Sequence, residues 1–265
     1  MSIDTKLITK LRELTGAGIA DCKIALEEVN GNLDQAVEIL RKKGAMKAAK
    51  KAERSTNEGV IAFSQAENKI AVVGLACETD FVAKNQDFIN TVNDFAKKLL
   101  TTEQAQFKDW AHKKIQNELI VKIGENIKLV FAEVISGGLI GAYLHANKKV
   151  AAAVVLNVGK TELATDLAMQ ITAMSPRYIK PQDVPAEELE KEKEIYRQQL
   201  KNEGKPETMW EKIIPGKLNK FYEEVCLLNQ AYIKDDKIKI IDLIKQESKS
   251  TGQEVAVLSF KRYQI

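Results

Sequence analysis

The apolar residues of this chain keep one spacing up to about residue 43 and another from Gly59 onward, and that switch limits the fold more than any single motif. In DTKLITKLREL (4–14), Leu7, Leu11 and Leu14 recur at helical steps, with Asp4 placed to cap the first turn. TGAG (15–18) breaks the run, and IADCKIALEEV (19–29) carries a second stripe of Ile19, Cys22, Leu26 and Val29. NGN (30–32) stops it, and LDQAVEILRKK (33–43) follows with Leu33, Ala36, Val37 and Leu40. None of these short helices can bury its stripe alone, so they predict a small helical bundle. From Gly59 the period becomes two: GVIAFSQ, a polar break AENK and IAVVGLA read as a hairpin, followed by a helix, DFINTVNDFAKKLL (87–100). The fold class is α+β.

The same order returns at an offset of 80 residues: LIGAYLH, ANKK, VAAAVVL, then ELATDLAMQITAM. Under that offset Phe63 meets Tyr143, Lys69 meets Lys149, Ile70 meets Val150 and Ala71 meets Ala151. The identity is thin enough for two unrelated hairpins, but the order favours a duplicated β-β-α unit. The copies differ where the second strand ends, ACETDFVAKN in one and LNVGKTEL in the other. A repeated scaffold with one specialised tip assigns the function to the tip.

Between the copies lies a helical stretch (103–123) leading into KIGENIKLVFAEVI. Beyond Pro176 the chain becomes highly charged, with two helical runs around the turn NEGKP. Leu189, Tyr196 and Leu200 line one run; Leu218, Phe221, Val225 and Leu228 line the other, which Pro215–Gly216 is expected to interrupt. This predicts a protruding antiparallel helical hairpin with a thin, coiled-coil-like seam. VAVLSFKRYQI closes the chain as a strand of the second sheet. GAMKAAKKAER (44–54), with Lys47, Lys50, Lys51 and Arg54, reads as a basic helical linker. It is either a solvated face or a surface for an acidic partner or RNA.

The chain has 265 residues and a net charge of +3, too small for a dedicated nucleic-acid-binding surface. Cys22, Cys77 and Cys226, with His112 and His145, are too scattered for a structural metal site, and no cofactor is expected. An odd cysteine count, a start without a signal and no apolar run of about 20 residues give a cytoplasmic reading without a membrane span. NVGKTE is not a phosphate-binding loop, because Val154 stands where the first glycine is required. GAGIAD has Asp21 in place of a third glycine, and His145 has no nucleophile nearby in a recognisable signature. No catalytic centre emerges.

TDFVAKN (79–85) puts an acid and a large aromatic side by side just past a strand. Ordinarily Phe81 would fold back into the core and Asp80 would cap the next helix. The neighbouring segments alter that expectation. LRELTGAGIADCKIAL (11–26), GAMKAAKKA (44–52), ETDFVAKN (78–85), KIGENI (122–127), YLHANKKVA (143–151) and PGKLNKFYEEVCLLNQ (215–230), in that order, closely resemble the bacterial elongation factor Ts family. The resemblance spans nearly the whole chain, and L-R-x-x-T-G-A-G with T-D-F-V-A-K is its most specific part.

The resemblance implies an N-terminal three-helix bundle of the ubiquitin-associated type, a core of two related α+β halves, and an inserted antiparallel helical hairpin. The corresponding expected domains are 1–54 (bundle and basic linker), 55–140 (first half), 141–180 with 229–265 (second half), and 181–228 (hairpin). It implies a guanine-nucleotide exchange factor for elongation factor Tu, binding Tu in its GDP-bound and nucleotide-free states and making no covalent bond. Asp80 and Phe81 would enter the GTPase domain of Tu beside its magnesium and phosphates, with Val82, Ala83 and Lys84 supporting the turn. Lys23 would face the same GTPase domain, and Ile123, Gly124 and His145 would lie near the inserted tip. The helical hairpin could support a dimer or a 2:2 complex. Longer members of the family continue beyond the final strand into a further helical module that also contacts the GTPase domain, and its absence bears on affinity more than on mechanism. The competing reading is a helical adaptor whose bundle binds a protein and whose basic segment binds RNA.

Overall fold

Helix α1 (Thr5–Thr15) starts where the Asp4 carboxylate accepts from the Lys6 N–H at 2.9 Å, and ends at Gly16 in the left-handed region. A computed structural model describes residues 3–265, the side chains of residues 45 and 47–49 excepted; Lys47 of the basic segment is thus outside the described residues. Two compact units are resolved. The first takes the chain up to Ile135 with Ala146–Lys149 and Gln264–Ile265; the second takes Ser136–His145 and Val150–Tyr263.

In the first unit, α2 (Ile19–Glu28) and α3 (Leu33–Lys51) join α1 around Leu11, Ala17, Cys22, Ala25, Leu26, Ala36 and Leu40, all buried. The NGN turn works because Asn30 and Gly31 both take positive φ and the Asn32 side chain then caps α3 through the Gln35 N–H. Helix α3 continues through the alanine- and lysine-rich segment to Lys51; Gly44, the one poor helix former there, sits where a Cβ would run into the Val121 side chain.

Strands β1 (Glu58–Ala66) and β2 (Lys69–Cys77) form the expected antiparallel hairpin. A short helix, α4 (Asp80–Lys84), precedes α5 (Gln86–Leu100), whose Phe88, Ile89, Val92, Phe95, Ala96 and Leu99 cover the sheet. Helix α6 (Gln104–Lys114) runs through a π-helical turn, Ile115–Leu119, into α7 (Ile120–Ile123), and β3 (Lys128–Ser136) completes a sheet ordered β1-β2-β3.

The second unit holds β4 (Leu139–Leu144), β5 (Val150–Leu156) and α8 (Thr161–Met174), with α8 packed on both strands. Phe63 pairs with Val72 in the first hairpin and Tyr143 with Ala152 in the second, so the offset of 80 residues that aligns the sequences also maps one register onto the other. The strand–helix connections are unequal: residues 78–85 in the first unit, only 157–160 in the second. The extra length is the tip.

Helices α9 (Ala186–Asn202) and α10 (Trp210–Val225) follow, with Leu200, Phe221 and Val225 buried and Lys217 Nζ donating to Gln199 Oε1 at 3.1 Å. Pro215–Gly216 does not interrupt α10, contrary to the sequence expectation. Pro215 is exposed, so the Glu211 carbonyl that loses its donor can turn to water. Between α10 and the closing strand, where no element was expected from the sequence, lie β6 (Ala231–Tyr232), β7 (Asp235–Lys239) and α11 (Ile240–Thr251); β8 (Val257–Gln264) then joins the sheet in the order β4-β5-β8.

Candidate functional site

Strand β2 is buried from Ile70 to Cys77 and brings the chain to the rim of its sheet as a rigid stalk. The turn that follows is closed by its own side chains. Thr79, extended, caps α4 by accepting from the Val82 N–H at 3.4 Å, and its carbonyl accepts from the Ala83 N–H at 3.2 Å. Asn85 ends α4 and caps α5, its side-chain oxygen accepting from the N–H groups of Asp87 (2.8 Å) and Phe88 (3.3 Å). Two caps in seven residues hold a helix too short to persist alone.

A second layer of bonds comes from KIGENI. Glu125 accepts from the N–H of Glu78 (2.9 Å), the N–H of Thr79 (3.1 Å) and the Thr79 hydroxyl (2.6 Å). Glu78 in return accepts from the Asn126 N–H at 2.7 Å. The Asn126 side chain, almost fully buried, donates to the carbonyls of Arg54 (2.9 Å) and Ala52 (3.4 Å), beyond the end of α3. Gly124 ends α7 in the left-handed region, and the Lys51 ammonium donates to its carbonyl.

On this base α4 divides into two faces. Val82 and Ala83 pack against the core of the first unit. Phe81 points away and is 82 % exposed, the most exposed of the large apolar side chains among the described residues. Asp80 does not cap the helix, and Phe81 does not enter the core; Thr79 takes the first role, and Val82 and Ala83 take the second. Asp80 instead pairs with Lys84 one turn on, at 2.7 Å. That bond from Lys84 holds the Asp80 carboxyl below its ordinary range and raises the Lys84 ammonium above its own. Beneath the turn, burial pushes the Cys77 thiol up to about 12, helped by the carboxylates of Glu125 and Glu58, so it is a packing group rather than a nucleophile.

Beside the ring lies an open groove of about 350 Å³, lined by Phe81, Val82, Phe88, Leu119, Lys122 and Ile123. Ile123 therefore shares a surface with Phe81, and Gly124 follows it at the helix end. Lys23 lies on α2, exposed and 3.8 Å from Glu27. His145 belongs to the other unit, exposed just past β4, its N–H donating to the Val150 carbonyl at 2.9 Å. The described residues contain no group of three or more His, Cys, Asp or Glu side chains that could hold a metal, and no helix long and apolar enough to cross a membrane.

An exposed phenyl ring, an adjoining groove with both apolar and polar lining, and a half-exposed carboxylate come together on a doubly capped turn. The family model described as elongation factor TS matches residues 78–265, beginning at Glu78 at the base of that tip. The chain belongs to the elongation factor Ts family. It is 40 % identical over 279 residues to elongation factor Ts of Nitratidesulfovibrio vulgaris strain DP4, covering all of this chain and 96 % of that one. It is 41 % identical over 278 residues to elongation factor Ts of Hydrogenobaculum sp. strain Y04AAS1, covering 100 % and 99 %. It is 38 % identical over 291 residues to that of Lawsonia intracellularis, again covering 100 % and 99 %. Membership makes the chain a translation elongation factor of the Ts type. Sequence reasoning missed the part that Thr79, Glu125 and Asn126 play in holding this turn. Glu125 and Asn126 stood in a quoted motif, but nothing local relates them to residues 78–79, far earlier in the chain.

Proposed function

We propose that this chain is the guanine-nucleotide exchange factor of elongation factor Tu, acting by inserting Asp80 and Phe81 into the GTPase domain of Tu next to its magnesium and phosphates. The observation that carries the reading is Phe81, exposed on a turn that is capped at both ends and braced from a distant loop. A lone exposed ring is ordinary, but this one continues into Val82, Phe88, Leu119 and Ile123 along the groove, and a contiguous apolar patch marks an interaction surface.

Tu holds its nucleotide through a phosphate cradle and a magnesium ion, which demands near-octahedral geometry. A ring wedged beside that site gains its burial energy only when Tu yields, so it favours the displaced, weakly binding state. Asp80 enters with Lys84 as its partner and requires a donor in Tu if that pair is broken, because an unpaired buried carboxylate is strongly unfavourable. By linkage, a factor that weakens GDP binding is itself weakened by GDP to the same extent. Incoming nucleotide therefore releases it, and no covalent chemistry is required.

In this reading residues 1–54 form a ubiquitin-associated-type domain that presents Lys23 to the GTPase domain. Residues 55–140 and 141–180 with 229–265 are the related core halves, and 181–228 is the inserted hairpin. Ile123 and Gly124 widen the contact beside the tip, and His145 is a further contact with Tu. The test is stopped-flow release of a fluorescent GDP analogue from Tu at fixed excess magnesium. Strong acceleration that disappears with Asp80→Ala/Phe81→Ala is expected. Acceleration that survives the double substitution rejects the wedge, and no acceleration by the folded wild-type chain rejects the function.

A further inference from the structure

We infer that Glu125 is a positioning residue for exchange: its carboxylate fixes the turn that carries Asp80 and Phe81, although it lies in a separate loop, 46 residues beyond Thr79 in the chain. The inference rests on the reading of the tip as the docking element, and it adds a residue that no feature of TDFVAKN discloses.

One carboxylate meets three donors of the turn, the N–H groups of Glu78 and Thr79 and the Thr79 hydroxyl. The hydroxyl bond is the informative one. A threonine hydroxyl has one hydrogen, and here it is directed at Glu125 Oε1, which leaves its lone pairs for the Val82 N–H. Glu125 therefore sets the polarity of the cap as well as holding the backbone before it. The Phe81 side chain has no comparable anchor of its own, since it projects into solvent. Its direction is determined by the backbone of residues 78–83, and the bonds that determine that backbone converge on Glu125. Asn126 extends the brace to the carbonyls of Ala52 and Arg54, and Glu78 closes it by accepting from the Asn126 N–H. An acceptor shared by three partly buried donors is not replaced by one water, so its removal loosens the turn.

The experiment is a double-mutant cycle in the whole 265-residue chain, with GDP-analogue release from Tu measured at saturating factor. Glu125→Gln keeps the side-chain volume but turns one acceptor oxygen into a donor; Phe81→Ala removes the ring. In the wild-type background Glu125→Gln is expected to slow maximal release about tenfold or more. In the Phe81→Ala background it should cause little further loss, because the group it positions is gone. Hydrogen exchange of the Val82 and Ala83 amides in the isolated variant should speed up, while that of the β1–β2 hairpin does not. Equal slowing in both backgrounds would mean that Glu125 acts independently of the tip, and would overturn the inference. So would wild-type release by Glu125→Gln while Phe81→Ala is impaired, a result that leaves the exchange function standing. Full activity in Phe81→Ala itself would instead remove the reading on which the inference rests.

Discussion

Truncating Phe81 to alanine should leave folding intact while weakening docking to Tu. The ring is 82 % exposed, so only about a fifth of its surface is buried within the protein and little is lost on folding when it is removed. Alanine is also the better helix former at that position in α4, by up to about 0.5 kcal/mol, so the net change in stability should stay within roughly 0.5 kcal/mol of zero. The complex behaves differently. A phenyl ring buries on the order of 150–250 Å², worth about 4–6 kcal/mol at ~25 cal/mol/Å². Four-fifths of that remains to be gained at an interface, about 3–5 kcal/mol gross. Ordering and desolvation costs leave about 2–3 kcal/mol, a roughly 30- to 150-fold weaker Kd for nucleotide-free Tu. Urea unfolding measures the first quantity and titration calorimetry the second. A stability loss above about 1 kcal/mol would show that the ring packs inward in the free protein, and an unchanged Kd would show that it is not an anchor.

Gly141 and Gly216 should respond to alanine with opposite signs. A methyl at Gly141 would lie 2.2 Å from the backbone carbonyl of Ala164, forcing α8 off β4 at a cost of about 1–3 kcal/mol; at Gly216, exposed in α10 with nothing within 4 Å, it should add about 0.5–1 kcal/mol. Thermal unfolding checks both, with roughly 2–4 °C expected for each kcal/mol, and a neutral Gly141→Ala would refute the close approach of strand and helix. Asp80 has a lowered pKa through its bond from Lys84, so the pair's contribution is present above the ordinary carboxylate value of 3.8 and is lost as pH falls through the lower folded value. Carbon-detected titration of the Asp80 carboxyl should give a midpoint below 3.8 that returns toward it in Lys84→Ala; an ordinary midpoint in the wild type contradicts the pairing.

The legible parts of this fold are those where one period dominates. Leu7, Leu11 and Leu14 announce α1, and Gly16 and Gly31 occupy the left-handed positions that end α1 and close the turn after α2. The repeat was visible as a thin run of matched residues with a shared pairing register, but the offset does not carry one core face onto the other: Ala71, Val73 and Leu75 pack into the first core, whereas Ala152, Val154 and Leu156 pack into the second. The region around α11 was not legible, because KIKIIDLIK satisfies two periods at once. Ile238 and Ile240 alternate as in a strand, whereas Ile240 and Ile244, the residues that are buried, follow a helix. At the site, Asp80 and Phe81 stood out through the family resemblance of the neighbouring segments, since the pair alone would be read as a capping acid and a core phenylalanine. Their direction did not, since Thr79 rather than Asp80 caps α4 and only the folded chain brings Glu125 to Thr79.

The central claim is that Phe81 is exposed in the free protein in order to be buried in Tu, and fluorine NMR tests it directly. With 4-fluorophenylalanine at position 81, the free protein should show a sharp resonance with the full solvent isotope shift between H2O and D2O. On saturation with Tu·GDP the resonance should move and lose that isotope shift. A complex that forms, as judged by its size, while the resonance keeps its position and its full isotope shift would leave Phe81 in water and contradict the account.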